Sequence, residues 1–208
     1  MSKRSIVMVV AAVAFTTFAV SVSVFGADNA PPEEVDLRCS IKSDKTVYSL
    51  GETPRIDVRI KNEGDKPVLL VGSLDASDVK WRYPYCYYTI TGQNGDPINT
   101  GVGRCGMMNA LRRNDFVRVE PGATFNPYMD IGPTGFFSSG QINAYAFQNP
   151  GIYRITFHYD TSSNDMRQWE AWDDVEAAPG KPSIRTLWKQ VPKTTLVSNT
   201  LTIEVTSE

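Results

Sequence analysis

In Pro54-Arg55-Ile56-Asp57-Val58-Arg59-Ile60-Lys61 the side chains of Ile56, Val58 and Ile60 alternate strictly with Arg55, Asp57, Arg59 and Lys61. A period of two is what a strand with one buried face requires, because successive side chains point to opposite sides of the pleat. The same rhythm returns after Asn149-Pro150-Gly151, where Tyr153, Ile155, Phe157 and Tyr159 share a face. Between these stretches, Gly, Pro and Asn/Asp clusters recur every ten residues or so, and no long helical period interrupts them. Strands are predicted over 37–42, 46–50, 54–61, 67–71, 83–91, 98–104, 116–120, 124–130, 142–147, 152–159 and 198–205. Leu37 to Lys42 and Thr46 to Leu50 read as one edge strand with a break, and Asn62-Glu63-Gly64-Asp65 as the turn that returns the chain along Pro67 to Val71. Nine or ten short strands of this kind describe an all-β antiparallel sandwich.

With 208 residues, 41% of them hydrophobic, the chain is long enough to bury one such core. Its first residues are of another character. Lys3 and Arg4 precede an apolar run from Ile6 to Val24, and Val24-Phe25-Gly26 before Ala27 offers a small-residue boundary. Residues 1–26 are read as a secretory signal, 27–36 as a linker and 37–208 as the folded domain. An uncleaved single-pass anchor is the alternative, because the run is long enough to span a bilayer. Thr16, Thr17, Ser21 and Ser23 within the run favour the cleaved signal, which leaves no membrane span. The expected location is therefore the periplasm, the cell surface or the medium, where disulfides persist. Removal of Lys3 and Arg4 takes the net charge from −2 to −4, a balance that argues against a nucleic-acid partner.

Four strings carry a resemblance: Thr46-Val47-Tyr48-Ser49-Leu50-Gly51-Glu52, Lys61-Asn62-Glu63-Gly64-Asp65-Lys66-Pro67-Val68, Pro150-Gly151-Ile152-Tyr153 and Val197-Ser198-Asn199-Thr200-Leu201. The plan resembles the immunoglobulin-like domains of secreted bacterial proteins. More distantly it is similar to bacterial intracellular proteinase inhibitors, which share a Tyr-x-x-Gly-Glu start. The resemblance covers most of 37–206, implies the fold, and transfers no functional residue. Tyr153 stands where such sandwiches carry a tyrosine corner, whose hydroxyl bonds back to upstream backbone. Ile155 occupies the place of the antibody cysteine, so no intersheet disulfide is expected.

Three cysteines are present. If Gly95 and Asp96 are the two central residues of a hairpin turn, Cys86 and Cys105 face each other directly, close enough for a disulfide. If Asn94-Gly95 is the turn, the pair slips by two residues and a bulge must correct it. Either version makes Cys86–Cys105 a structural staple, and Cys39 is left as a buried thiol. Metal binding would need more Cys or His at ligand spacing, and redox work would favour a Cys-x-x-Cys that is absent.

No catalytic set, metal site or cofactor is expected. His158, the single histidine, belongs on the face opposite Phe157 and Tyr159, with no nucleophile elbow or zinc-protease helix elsewhere. Asp173, Asp174 and Glu176 form a run that suits a solvated face. The Asp160-Thr161-Ser162-Ser163-Asn164-Asp165 loop is rich in oxygen but lacks the spacing and glycine of a calcium hand.

Residues 160–196 separate two final strands that a plain sandwich would join by a short turn. They hold Trp169, Trp172 and Trp188, with a short helix predicted over 163–177, capped by Ser163 and ended by Pro179-Gly180. The tryptophans either pack this helix on the sandwich or form a binding surface at its end. The functional expectation is a non-catalytic binding or structural module of the cell envelope with a protein or glycan partner at Trp169, Trp172 and Trp188. A proteinase inhibitor acting through an exposed loop is the alternative.

Overall fold

The alternation of Ile56, Val58 and Ile60 becomes the middle of a sheet. The computed structural model describes residues 35–72, 83–98, 111–127, 146–169 and 180–207. In it β3 (Ile56–Asn62) runs antiparallel to β1 (Leu37–Ser43) on one side and β7 (Thr124–Phe125) on the other. Cys39 stands opposite Ile60, Ile41 opposite Val58, and Ile60 opposite Phe125. A second sheet has the order β2 (Val47–Ser49), β10 (Leu201–Thr206), β8 (Gly151–Asp160), β5 (Tyr85–Thr91), and β9 (Thr195–Val197) also lies beside β8. β4 (Val68–Val71) and β6 (Phe116–Val119) pair as a separate ribbon. Every pairing of these strands is antiparallel except β2 with β10.

The inward side chains of both sheets make one core. Ile41, Val58, Ile60 and Phe125 come from the first sheet, and Ile90, Tyr153, Ile155, Phe157 and Ile203 from the second. The chain is an all-β, immunoglobulin-like antiparallel sandwich with a short helix, α1 (Ile184–Gln190), ahead of its last strands. The tyrosine corner is present: the Tyr153 hydroxyl donates to the Asn149 carbonyl at 2.7 Å.

The other strings of the resemblance are structural locks. Gly51 sits at φ +82° in the turn after β2, and the Glu52 carboxylate accepts from the Ser49 N–H at 3.1 Å and the Lys45 ammonium at 2.7 Å. Asn62, fully buried, donates to the carbonyls of Lys66 (2.8 Å) and Val119 (3.0 Å) and accepts from the Gly64 N–H (3.1 Å). A buried amide is tolerable only when so satisfied. In the last string β8 places His158 opposite Val197 but Ile155 opposite Leu201. Two residues therefore face three, which is a β-bulge. Asn199 of that bulge accepts from the Ile41 N–H (2.8 Å) and donates to the Ile41 carbonyl (3.1 Å), strapping the second sheet to the edge of β1.

Several expectations are corrected. β1 and β2 are not one interrupted edge strand, because the break at Asp44 to Thr46 carries the chain from one sheet to the other. The Asn62 turn does not fold β4 back on β3. It sends β4 away to pair with β6, with the Asn62 side chain holding the corner. β7 is only two residues long, ending before Asn126 and Pro127, and proline has no N–H to extend a ladder. Ala146 and Phe147 are buried core but not strand. The expected signal over 1–26, the expected linker as far as residue 34, and the remainders of the strands expected over 98–104, 124–130 and 142–147 lie outside the described residues. Among those described, no helix is long and apolar enough to cross a membrane.

Candidate recognition surface

The insertion between β8 and β9 is tied off where it leaves the sheet. The Thr161 N–H donates to the Thr194 carbonyl at 2.8 Å, and the Thr161 hydroxyl donates to the Pro192 carbonyl at 2.6 Å. Ser163 then accepts from the Asp165 N–H through its hydroxyl (3.1 Å) and from the Trp169 indole through its carbonyl (2.9 Å), winding a 3-10 turn over Met166–Trp169. This turn stands where the helix over 163–177 was predicted, and residues 170–179 lie outside the described set. Trp169 is 0% exposed. Its ring stacks on Tyr83 at 5.9 Å and meets Trp188 edge to face at 6.4 Å. With Val71, Leu111, Ile184 and Val191 it forms a second apolar cluster, separate from the sandwich core.

α1 closes that cluster. Its apolar residues Ile184, Leu187, Trp188 and Val191 follow the three-and-four spacing of one helix face, and the Ser183 hydroxyl accepts from the Thr186 N–H at 3.0 Å as an N-cap. At the other end the Lys193 ammonium donates to the carbonyls of Trp188 (2.8 Å) and Val191 (3.0 Å) while lying 4.6 Å from the ring centres of both Trp169 and Trp188. A lysine there meets the last carbonyls and the negative end of the helix together. Burial pushes the Lys193 ammonium down to about 8, against the pull of the two π faces.

The outer face of the second sheet continues the aromatic surface. Tyr83, Tyr85 and Tyr87 follow one another at centroid distances of 4.7 and 6.1 Å, and Tyr87 lies flat on His158 at 4.4 Å and 3°. The register explains the stack, since Tyr87 is directly opposite His158 and Tyr85 opposite Asp160. Burial first, then the hydroxyl of Tyr83 and the carboxylate of Asp160, push the Tyr85 phenol above its usual range. His158 Nε2 is 3.2 Å from the Thr89 hydroxyl. The acid next along the same face, Asp160, is engaged by Tyr85 and by the Ser162 N–H at 2.9 Å. In the oxygen-rich loop, Asp160 and Ser163 spend acceptors on their own backbone and on Trp169. Among the described residues no three His, Cys, Asp or Glu converge as metal ligands.

The structure divides the expected contact residues. Trp169 is core and cannot touch a partner. Trp188 is half-buried on α1, and Trp172 lies outside the described residues. The residues that sequence reasoning missed are Lys193 and α1 itself. The helix was legible in the spacing from Ile184 to Val191 behind Pro182-Ser183. Arg113 comes from a distant turn, Arg113–Asp115, and its Nε donates to the Pro182 carbonyl at 2.9 Å. Its Nη2 and the Trp188 indole Nε1 are buried without a hydrogen-bond partner.

The hairpin tip also differs from expectation. The Gly95 N–H donates to the Gly92 carbonyl, the Gly92 N–H to the Asp96 carbonyl, and Gly95 takes φ +87°. This is a three-residue loop with glycine in the left-handed position, and it sets Thr91 opposite Pro97. Cys105 itself lies outside the described residues. Cys86 is buried and faces the sandwich core. Cys39 is a buried free thiol on β1 that burial pushes up to about 12.

No family model matches this chain, and no curated protein matches it. Among solved structures it is similar to the CARDB domain of a Pyrococcus furiosus protein in complex with di-metal ions, at 16% identity and a TM-score of 0.31 over 84% of this chain and 96% of that one. It is similar to a β-glucosidase from Listeria innocua in complex with glucose at 13% identity and 0.27, over 81% of this chain but 16% of the enzyme. The Salmonella enterica SafA pilin in complex with the SafB chaperone matches at 10% identity and 0.22, over 80% of this chain and 52% of that one. Likeness at this level carries no metal, sugar or partner to this chain, and the distant similarity to proteinase inhibitors has no matching family or curated protein behind it.

Proposed function

We propose that this chain is a non-catalytic binding module of the cell envelope, exported by its leader and recognising its partner through the α1 end of the sandwich. The observation that carries the reading is the 160–196 insertion. It builds its own apolar cluster around Trp169, yet leaves Trp188 half-buried on a short helix with an unpartnered indole N–H. A segment needed only to cover the sandwich would use such a donor internally. Tryptophan and arginine at the edge of a packed cluster are the residue types that dominate protein recognition. In this reading Trp169 positions α1, while Trp188 and Trp172 make contact. Capture of an envelope protein or glycan by the purified chain is expected to fall at least about tenfold in Trp188→Ala and Trp172→Ala. Equal capture by these variants and wild type would sink the assignment.

Export is tested separately. The mature protein is expected in the periplasmic or extracellular fraction with an N-terminus at Ala27, and a chain retained in the membrane with residues 1–26 intact would make it an anchored module instead. We further propose that Cys86 and Cys105 are joined once exported, with a local bulge correcting the register beyond the tip. Thiol titration of the denatured, non-reduced protein then finds Cys39 alone, whereas reaction at all three cysteines would remove the staple.

A further inference from the structure

Among the described residues, the basic side chains of one part of this molecule are paired, and several in another part stand in no ion pair. Along β1 and β3, Arg38 and Lys61 lie 3.7 and 3.2 Å from Glu63, and Lys42 and Arg59 lie 3.8 and 2.9 Å from Asp57. Around α1 the pattern changes. Residues 180–193 contain four basic side chains and no acidic one, in a chain whose net charge is −2. Among the described residues, Arg112, Arg113, Lys181, Lys189 and Lys193 stand in no ion pair. Asp115, the acid nearest in sequence to Arg112 and Arg113, accepts from the Arg112 backbone N–H at 2.6 Å.

A second observation is independent of the charge count. Arg113 is fixed by its Nε bond to the Pro182 carbonyl, immediately ahead of the α1 cap, and its Nη2 has no acceptor. The Trp188 Nε1 has none either. Buried donors are nearly always satisfied, and concentrated charge of one sign is stabilised by a counter-charge. A carboxylate supplies that counter-charge to the exposed Lys181 and Lys189.

We propose that the α1 face, with Arg113, Lys181, Lys189 and Trp188 at its centre, is the docking surface for an acidic segment of a partner protein. This rests on the binding-module reading and narrows its partner. A polypeptide fits better than a purely ionic polymer, because the cations border the apolar cluster of Trp188, Met166 and Phe116. An acidic peptide offers apolar side chains as well as carboxylates, and the guanidinium fork suits a carboxylate's two oxygens.

The test uses a fluorescein-labelled dodecapeptide of glutamate with two leucines, and its glutamine counterpart, titrated into the full exported chain. The glutamate peptide is expected to bind at least about tenfold more tightly and to weaken as salt rises from about 50 to about 300 mM. Arg113→Gln and the Lys181→Gln/Lys189→Gln double variant are expected to lose about tenfold, while Lys42→Gln/Lys61→Gln binds as wild type. The double variant changes only exposed side chains, so it keeps the test valid if Arg113→Gln fails to fold. Equal binding of the two peptides, or wild-type binding by the double variant, overturns the proposal. So does binding of inorganic phosphate or phosphatidylglycerol vesicles at this face without peptide binding. If the glutamate peptide binds only when Asp173, Asp174 and Glu176 are replaced by their amides, the chain's own acids are the occupant and the partner is overturned. Peptide failure alongside intact Trp188-dependent capture removes the acidic partner and leaves the binding module standing.

Discussion

The two apolar clusters of this protein are built by different rules. The sandwich core is assembled from alternate residues of long strands, so each inward side chain is placed by the register of its neighbours, and Ile155, Phe157 and Tyr159 are all 0% exposed along a single strand. The second cluster draws Val71, Leu111, Trp169, Ile184 and Val191 from separate segments and holds them with a 3-10 turn, a capped seven-residue helix and one lysine. The first is maintained by periodicity, the second by individual hydrogen bonds. A region of the second kind can diverge and bind without disturbing the fold. A pair of hydrogen bonds links the two: the Tyr159 hydroxyl, from the sandwich core, donates to the Val71 carbonyl at 2.9 Å and accepts from the Val71 N–H at 3.0 Å.

The sharpest way to break this contrast is a pair of truncations. Phe157→Ala and Trp169→Ala are each expected to cost about 3–5 kcal/mol. Hydrogen exchange should show Phe157→Ala loosening both clusters, and Trp169→Ala loosening α1 while β8 and β10 stay protected. Loss of protection throughout in Trp169→Ala would show one cooperative core. Tyr159→Phe is next in size. It leaves the buried Val71 N–H and carbonyl without their partner, at about 1–3 kcal/mol, and urea unfolding should report a loss in both regions.

Ser183→Ala removes the α1 cap and should cost about 1 kcal/mol, read as faster exchange in α1 with no change in the sandwich. The smallest effect is a pH slope. The folded Lys193 ammonium titrates near 8, below its ordinary 10.5, so above pH 8 the unfolded chain holds a proton that the folded one has released. Stability relative to Lys193→Met is then expected to rise with pH between 8 and 10.5. A falling or flat difference would mean that the indole faces and carbonyls outweigh burial.

The strand pattern was legible because a half-buried strand writes its faces into alternate residues, as in Ile56 to Ile60 and Tyr153 to Tyr159. The tyrosine corner was legible because it is local, with Tyr153 reaching back four positions to Asn149. The sheet partners were not, since nothing in Val68 to Val71 distinguishes pairing with β3 from pairing with β6. The turn around Gly95 was placed correctly but its register was not, because a glycine in the left-handed position serves two-residue and three-residue loops alike. The candidate surface was half legible. The aromatic insertion stood out, but three tryptophans in sequence do not say which one is core.

By itself, then, the sequence determined the strands, their inward faces, the corner and the turn glycines, all of them consequences of backbone geometry within a few residues. Only the tertiary structure decided that Trp169 is interior while Trp188 reaches the surface, that Asn199 straps one sheet to the other, and that Arg113 arrives beside α1 from a segment about seventy residues away in sequence. Those outcomes depend on which elements pack together, and packing is a property of the whole core rather than of any stretch of it.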